Sequence, residues 1–180
     1  GVGLVGSEMC IRDRFNGGAV DISGIELYLR RILVDNGRIQ MPLELAWTNT
    51  NSEFQESFDG FWGDVSKGDE LTYLPDTMIA LNLGLNVDKI SANISMKKTS
   101  EMRTVAGSGS ISSSNATDEL TIIDLGLRYA LQDNIRLSVG INNFMDDDGV
   151  VSRRPYGARP TMPRSFSFGV DYNFYGCLLY

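Results

Sequence analysis

The fold is decided by the stretch Ser165-Phe166-Ser167-Phe168-Gly169-Val170-Asp171-Tyr172-Asn173-Phe174. Apolar side chains occupy every second position, and small or polar side chains occupy the positions between them. A period of two is typical of a β-strand with one face in an apolar environment and the other in water. The stretch therefore predicts a long extended strand.

The same alternation recurs along the chain and predicts seven strands, near 19–31, 38–50, 74–88, 89–104, 119–132, 134–146 and 164–174. A change of phase at Ser23 and Gly24 predicts a β-bulge in the first strand. No run of about 18 consecutive apolar residues occurs, which excludes a transmembrane helix. The predicted fold class is all-β, an antiparallel up-and-down meander.

The connections between these strands alternate in length. Short turns are predicted at 35–38, 87–89 and 132–134, and long loops at about 51–73, 105–118 and 147–163. Short turns on one side and long loops on the other are typical of outer-membrane barrels, which favours a partial transmembrane β-barrel. The alternative is a soluble β-sandwich binding module, in which the apolar face would be the core; alternation alone does not separate the two.

Composition excludes several classes of function. The chain has 180 residues, 16 basic and 23 acidic, with a net charge of −7, which disfavours a nucleic-acid partner. It contains no histidine, so a Ser-His-Asp triad and the usual zinc sites cannot form within it. Residues 146–149 (Asp-Asp-Asp-Gly) lack the ligand spacing of a calcium loop and are interpreted as a solvated acidic turn. No catalytic residue, resident metal or cofactor is predicted.

Both termini resemble translated DNA of a sequencing adapter. The runs Met9–Arg14 and Cys177–Tyr180 can be encoded by inverted copies of one DNA sequence. We therefore set residues 1–14 and 176–180 aside as non-native segments. Residues 15–175 are expected to be a part of a longer protein.

Several motifs in this central part resemble the C-terminal barrel of TonB-dependent outer-membrane receptors. They are Gly18–Leu27, Tyr73–Asp76, Ile141–Asp146, Ser152–Pro160 and Pro163–Phe174. Three stretches, Val65–Glu70, Glu101–Thr104 and the Arg-Arg-Pro-Tyr-Gly-Ala-Arg-Pro loop, are most similar to the ferric dicitrate branch.

The resemblance implies a barrel of about 22 strands with a plug domain. It implies active import of a ferric chelate such as ferric citrate, as cargo, across the outer membrane of a Gram-negative bacterium. Outer-membrane lipid would surround the barrel, and the TonB complex would act through an N-terminal region before this segment. A porin-like barrel without a plug is the alternative within membrane proteins.

Five residues are predicted to contact the chelate. Arg153, Arg154, Tyr156 and Arg159 form the densest basic group of the chain, on a predicted external loop, and Arg103 ends another strand. Guanidinium groups bind carboxylates in a bidentate manner, as an anionic iron-carboxylate complex requires. The alternative is that these side chains bond to neighbouring loops, to the plug or to lipopolysaccharide phosphates.

The final strand also resembles the C-terminal signal that the barrel-assembly machinery recognises. The recognised positions would be Phe168, Gly169, Tyr172 and Phe174. The aromatic residues among them would also suit the interfacial girdle of a membrane barrel, and the two interpretations are compatible.

Overall fold

The computed structural model describes residues 18–60, 63–154 and 156–174. The adapter-like segments, and Pro155 of the arginine-rich loop, lie outside these residues. The elements of the described part are β1 (Val20–Asp35), β2 (Ile39–Phe54), β3 (Phe58–Gly60), β4 (Gly63–Val65), β5 (Thr77–Val87), β6 (Ile90–Thr99), a 3-10 turn (Ser113–Asn115), β7 (Leu120–Gln132), β8 (Ile135–Asn142), β9 (Val150–Ser152), β10 (Arg159–Pro160) and β11 (Ser165–Tyr172).

The seven longest strands form one antiparallel sheet in the order β1-β2-β5-β6-β7-β8-β11. Each long strand pairs with the next long strand along the chain, so the predicted all-β up-and-down meander is confirmed. The two small hairpins, β3–β4 and β9–β10, lie within long connections. No helix in the described ranges is long and apolar enough to cross a bilayer.

The strand register aligns the apolar positions of neighbouring strands on one face of the sheet. One row across six strands consists of Leu43, Leu83, Ile94, Leu125, Ile141 and Phe166. On the other face, the corresponding row of four strands consists of Glu44, Asn82, Ser95 and Asp124. Because side chains alternate along a strand, this register gives the sheet one apolar and one polar face.

The apolar face is not covered by a second layer in the part of the chain that the structure describes. Side chains of this face are open on the central strands as well as on the edge strands, with Ile94 of β6 45% and Leu127 of β7 46% exposed. The buried apolar residues of the described ranges are Val65 and Ala116, and both lie in long connections rather than beneath the sheet. A β-sandwich buries its apolar face against another sheet, and this sheet does not.

The polar face is the crowded face. A Cβ built on Gly126 would lie 2.3 Å from Asn93 Oδ1, and one built on Gly140 would lie 2.6 Å from Ser167 Oγ. Two further glycines of this face are covered in the same way, Gly84 by Pro42 and Gly169 by Ser138. Side chains converge on the concave side of a curved sheet, and strand glycines mark such bends. We infer that the polar face is concave.

The prediction of a β-bulge at Ser23 and Gly24 is wrong. The pairing of β1 with β2 is continuous through this point, and the register shifts only between Ile32 and Val34. The glycine at position 24 is explained by a lack of space, because a Cβ there would lie 2.5 Å from the backbone oxygen of Asn49. The glycine marks a close approach of two backbones, and not an extra residue.

Two strands end earlier than the sequence pattern predicts. The sixth long strand, β8, ends at Asn142 and not near residue 146, because Asn143 adopts a φ of +51° that leaves the extended region. The fourth, β6, ends at Thr99 and not near residue 104, because backbone groups of residues 102–104 form hydrogen bonds with the loop residues Tyr73, Asn115 and Thr117. The chain beyond both ends belongs to the loops described below.

Candidate functional site

The three long connections of the main sheet all lie at one end of it. They are the first long loop (55–76), the second (100–119) and the third (143–164), whereas the opposite end has the short turns 36–38, 88–89 and 133–134. The sorting of loop lengths that the sequence predicts is therefore confirmed. In a meander this places the described residues of all three loops at the same end of the sheet.

The packed interior of the described ranges lies at this loop end. The residues that are buried there are Ser52, Val65, Arg103, Thr104, Ala116, Thr117 and Asn143. Most of them are polar, so hydrogen bonds rather than apolar packing must hold the loops together. We call this group of residues the loop base.

Two threonines close the second long loop. The hydroxyl of Thr117 accepts from the amide of Met102 at 2.9 Å, and the hydroxyl of Thr104 donates to the carbonyl of Asn115 at 3.0 Å. Backbone bonds between the same two segments accompany these contacts. Thr117 is 1% exposed, so its hydroxyl would be costly to bury without this partner.

Arg103 joins the second long loop to the first. Its guanidinium forms an ion pair with Glu70 and donates to the carbonyl of Gly109, and its side chain is 7% exposed. The predicted contact of Arg103 with a chelate stays a prediction. In this structure the guanidinium is engaged by the protein's own carboxylate and carbonyl.

The other predicted ligand-binding residues lie together on one small hairpin. Arg159 of β10 pairs with Ser152 of β9, and Arg153 and Arg154 follow β9 directly. Tyr156, in the connection between the two strands, is 87% exposed. We call residues 150–160 the arginine hairpin; it lies at the loop end, as the sequence predicts for an external loop.

The arginine hairpin is tied to both other loops. The backbone amides of Arg153 and Arg154 donate to the hydroxyl of Tyr73, at 3.3 and 3.0 Å. Arg153 Nε donates to the carbonyl of Ala116 in the second loop. The sequence pattern did not point to Tyr73 as more than part of a strand entry. Its contacts span about eighty residues, and no local spacing reveals them.

Asn143 holds the third long loop and was also missed by the sequence analysis. Its side-chain amide donates to the carbonyls of Asp147 and Met162, both at 2.9 Å, and its side-chain oxygen accepts from the amide of Asp147 at 3.0 Å. Its backbone amide donates to Asp124 at 2.8 Å. Asn143 adopts a φ of +51°, and asparagine tolerates this left-handed region better than most residues.

Carboxylates of the acidic turn at 146–149 accept hydrogen bonds from backbone amides outside the turn. Asp146 accepts from the amide of Arg164 at 2.8 Å, and Asp147 accepts from the amide of Thr121 at 2.9 Å. Within the described ranges, no group of three or more acidic, cysteine or histidine side chains is arranged to hold a metal ion. These carboxylates therefore organise the loop backbone.

The polar face contains an open depression of about 350 Å³ across strands β6, β7, β8 and β11. Its polar lining includes Asn93, Asp124, Arg128, Ser138 and Asp171. Charged groups of both signs and small hydroxyl and amide groups suit a surface in contact with water or with another polar protein segment.

Comparisons with known proteins agree with this architecture. The crystal structure of the ferric-catecholate import receptor Fiu from E. coli K12, in its closed form, superposes with a TM-score of 0.53 at 16% sequence identity. The sheet has the fold of part of that receptor. The match covers 86% of this chain and 28% of the receptor chain, so this chain spans about a quarter of its length. No protein-family model and no curated protein matches the sequence.

The last strand, β11, lies at one edge of the sheet and pairs with β8 on its inner side. Phe168 faces the apolar side, whereas Gly169 faces the polar side, where Ser138 leaves no room for a Cβ. The rings of Tyr172 and Phe174 make an edge-to-face contact with centroids 4.3 Å apart. Their recognition by an assembly machinery stays a prediction.

Proposed function

We propose that this chain is a C-terminal part of the barrel wall of a TonB-dependent outer-membrane receptor that imports a ferric chelate. The observation that carries the proposal is the uncovered apolar face, which extends across a seven-stranded meander. Such a face requires an apolar environment, and lipid provides one on the convex side of a barrel. The protein would act as a transporter and not as an enzyme.

The edges of the sheet also support a larger barrel. Strands β1 and β11 each pair with one neighbour among the described residues, so each presents a free row of backbone groups. A membrane-spanning sheet must close to satisfy these groups. Further strands of the same receptor would complete the wall, and a plug domain would face the concave polar side.

Aromatic residues at the short-turn end fit a membrane interface. Tyr129 pairs with Ile90 and Leu137, and Tyr172 pairs with Ile135, all near the short turns. Aromatic side chains form girdles at both interfaces of outer-membrane barrels. The short turns would then lie on the periplasmic side, where the TonB complex would act through the N-terminal region, and the long loops would lie outside the cell.

The arginine hairpin is the proposed contact for the chelate. Arg153, Arg154 and Arg159 lie on this hairpin with the exposed Tyr156, and guanidinium and phenol groups are hydrogen-bond donors. Guanidinium groups prefer carboxylate oxygens, which favours an iron-carboxylate complex such as ferric citrate. The solved structure of similar fold is named for import of a ferric catecholate. The preference for a carboxylate chelate therefore rests on the arginines of this chain and not on that structure.

The test uses the full-length protein expressed in an outer-membrane host that lacks its own ferric citrate receptor. We expect the protein in the outer-membrane fraction, and uptake of radioactive iron from ferric citrate that depends on TonB. Uptake that continues without TonB would favour the porin-like alternative. A folded, monodisperse protein recovered from the periplasm without detergent would favour the soluble binding module and contradict the proposal.

A further inference from the structure

Three contacts connect the three long loops into a closed triangle. Glu70 and Arg103 join the first loop to the second, and Arg153 joins the third to the second through the carbonyl of Ala116. The hydroxyl of Tyr73 closes the triangle, because it lies in the first loop and accepts from two amides of the third. The loops therefore form one connected unit at the external end.

Tyr73 has an unusual backbone conformation for an aromatic residue. Its φ is +57°, in the left-handed region that bulky side chains rarely adopt. Its backbone amide donates to the carbonyl of Arg103 at 2.8 Å, which fixes this conformation against the loop base. Strained residues of this kind persist where the surroundings determine them, and they concentrate at functional sites.

The Tyr73 hydroxyl holds the start of the arginine hairpin. Its two donors are consecutive backbone amides, those of Arg153 and Arg154. Two bonds to one oxygen restrict both the position and the direction of this segment, from which both guanidinium groups extend. The position of Arg159 is restricted as well. Arg159 lies in β10, which pairs with β9, and β9 ends immediately before Arg153.

We propose that Tyr73 is a positioning residue that fixes the arginine hairpin for binding of an anionic chelate. The inference rests on the proposed function, since it assumes that the hairpin contacts the ligand. A hairpin that is ordered before binding does not lose conformational freedom when the ligand arrives, and affinity rises accordingly. Tyr73 itself need not touch the ligand.

The variant Tyr73→Phe removes the hydroxyl and keeps the ring. The matched control is Tyr129→Phe, at the short-turn end of β7. In the full-length protein, hydrogen exchange at the amides of residues 153 and 154 should accelerate about tenfold in Tyr73→Phe, and the affinity for ferric citrate should fall about tenfold. The control should change neither quantity.

A second variant separates positioning from a general loss of stability. Arg154→Ala, alone and combined with Tyr73→Phe, gives a double-mutant cycle on the affinity; it removes a guanidinium group and keeps the backbone amide that the Tyr73 hydroxyl accepts from. If Tyr73 acts through the hairpin, the affinity of the combined variant should be only slightly lower than that of the single variant with the lower affinity. Fully additive losses would overturn the proposal, because they would show that the two residues act independently.

The remaining outcomes distinguish this inference from the proposed function. Unchanged hydrogen exchange at residues 153 and 154 in Tyr73→Phe would overturn the role of Tyr73, and so would unchanged affinity despite faster exchange. In either case, a wild-type protein that binds ferric citrate would still support the proposed function. If the wild-type protein does not bind ferric citrate, the proposed ligand fails and the positioning role fails with it.

Discussion

Substituting arginine on the two faces of one strand should have opposite consequences. Ile94 lies in the middle of β6 on the apolar face, between Leu83 and Leu125, and is 45% exposed. Its neighbour Ser95 lies on the polar face beside Asp124. In a membrane barrel, Ile94 would lie near the bilayer midplane.

An arginine at the midplane of a barrel's lipid face costs about 2–4 kcal/mol of folding free energy. Ile94→Arg should therefore lower the folding equilibrium constant about 30-fold to 700-fold. Ser95→Arg places the same side chain in a wet interior next to a carboxylate, and should change the folding free energy by less than about 1 kcal/mol.

The assay is urea unfolding of the full-length protein in phospholipid vesicles, with the folded fraction read from heat-modifiable migration on a gel. Both variants introduce the same charged side chain in adjacent positions, so each controls for the other. If Ile94→Arg is no more destabilising than Ser95→Arg, the apolar face does not contact hydrocarbon, and the membrane orientation of the sheet is wrong.

Three further perturbations test the loop base, the curvature and the last strand. Asn143→Ala should cost about 2–4 kcal/mol of folding free energy, since it removes three buried hydrogen bonds at a positive φ; a cost below about 0.5 kcal/mol in urea unfolding would contradict this. Gly126→Ala should cost about 1–3 kcal/mol because its Cβ would meet the side chain of Asn93, and adding Asn93→Gly should restore most of the loss; the absence of rescue would refute the steric explanation. Phe174→Ala with Tyr172→Ala should reduce the amount of full-length protein in the outer membrane several-fold by quantitative blotting, and normal surface levels would rule out an assembly signal.

The sheet was predictable because its signal is local and repeated. Alternation in the stretch ending at Phe174 and in six others gave the strands, and turn residues such as those at 36–38 gave the short connections. Once the strands form a meander, apolar alternation also determines which faces align, because a slip of one residue would move Ile94 to the polar face.

The loop end could not be predicted in the same way. Glu70 and Arg103 are 33 residues apart, and Tyr73 and Arg153 are 80 residues apart. Neither pair has a periodic or local signal, and each depends on how the sheet brings separate loops together. The sequence therefore indicated the arginines as a group but did not reveal that Tyr73 holds two of them in place.

In the proposed barrel, lipid contacts the apolar face and water contacts the polar face. Spin labels placed one at a time along β7, from Ile123 to Tyr129, test it in the full-length protein reconstituted in vesicles. Accessibility to oxygen and to a charged nickel chelate should alternate with opposite phase, with oxygen favoured at Ile123, Leu125, Leu127 and Tyr129. Equal access of the nickel chelate at these four positions and at the positions between them would contradict the account.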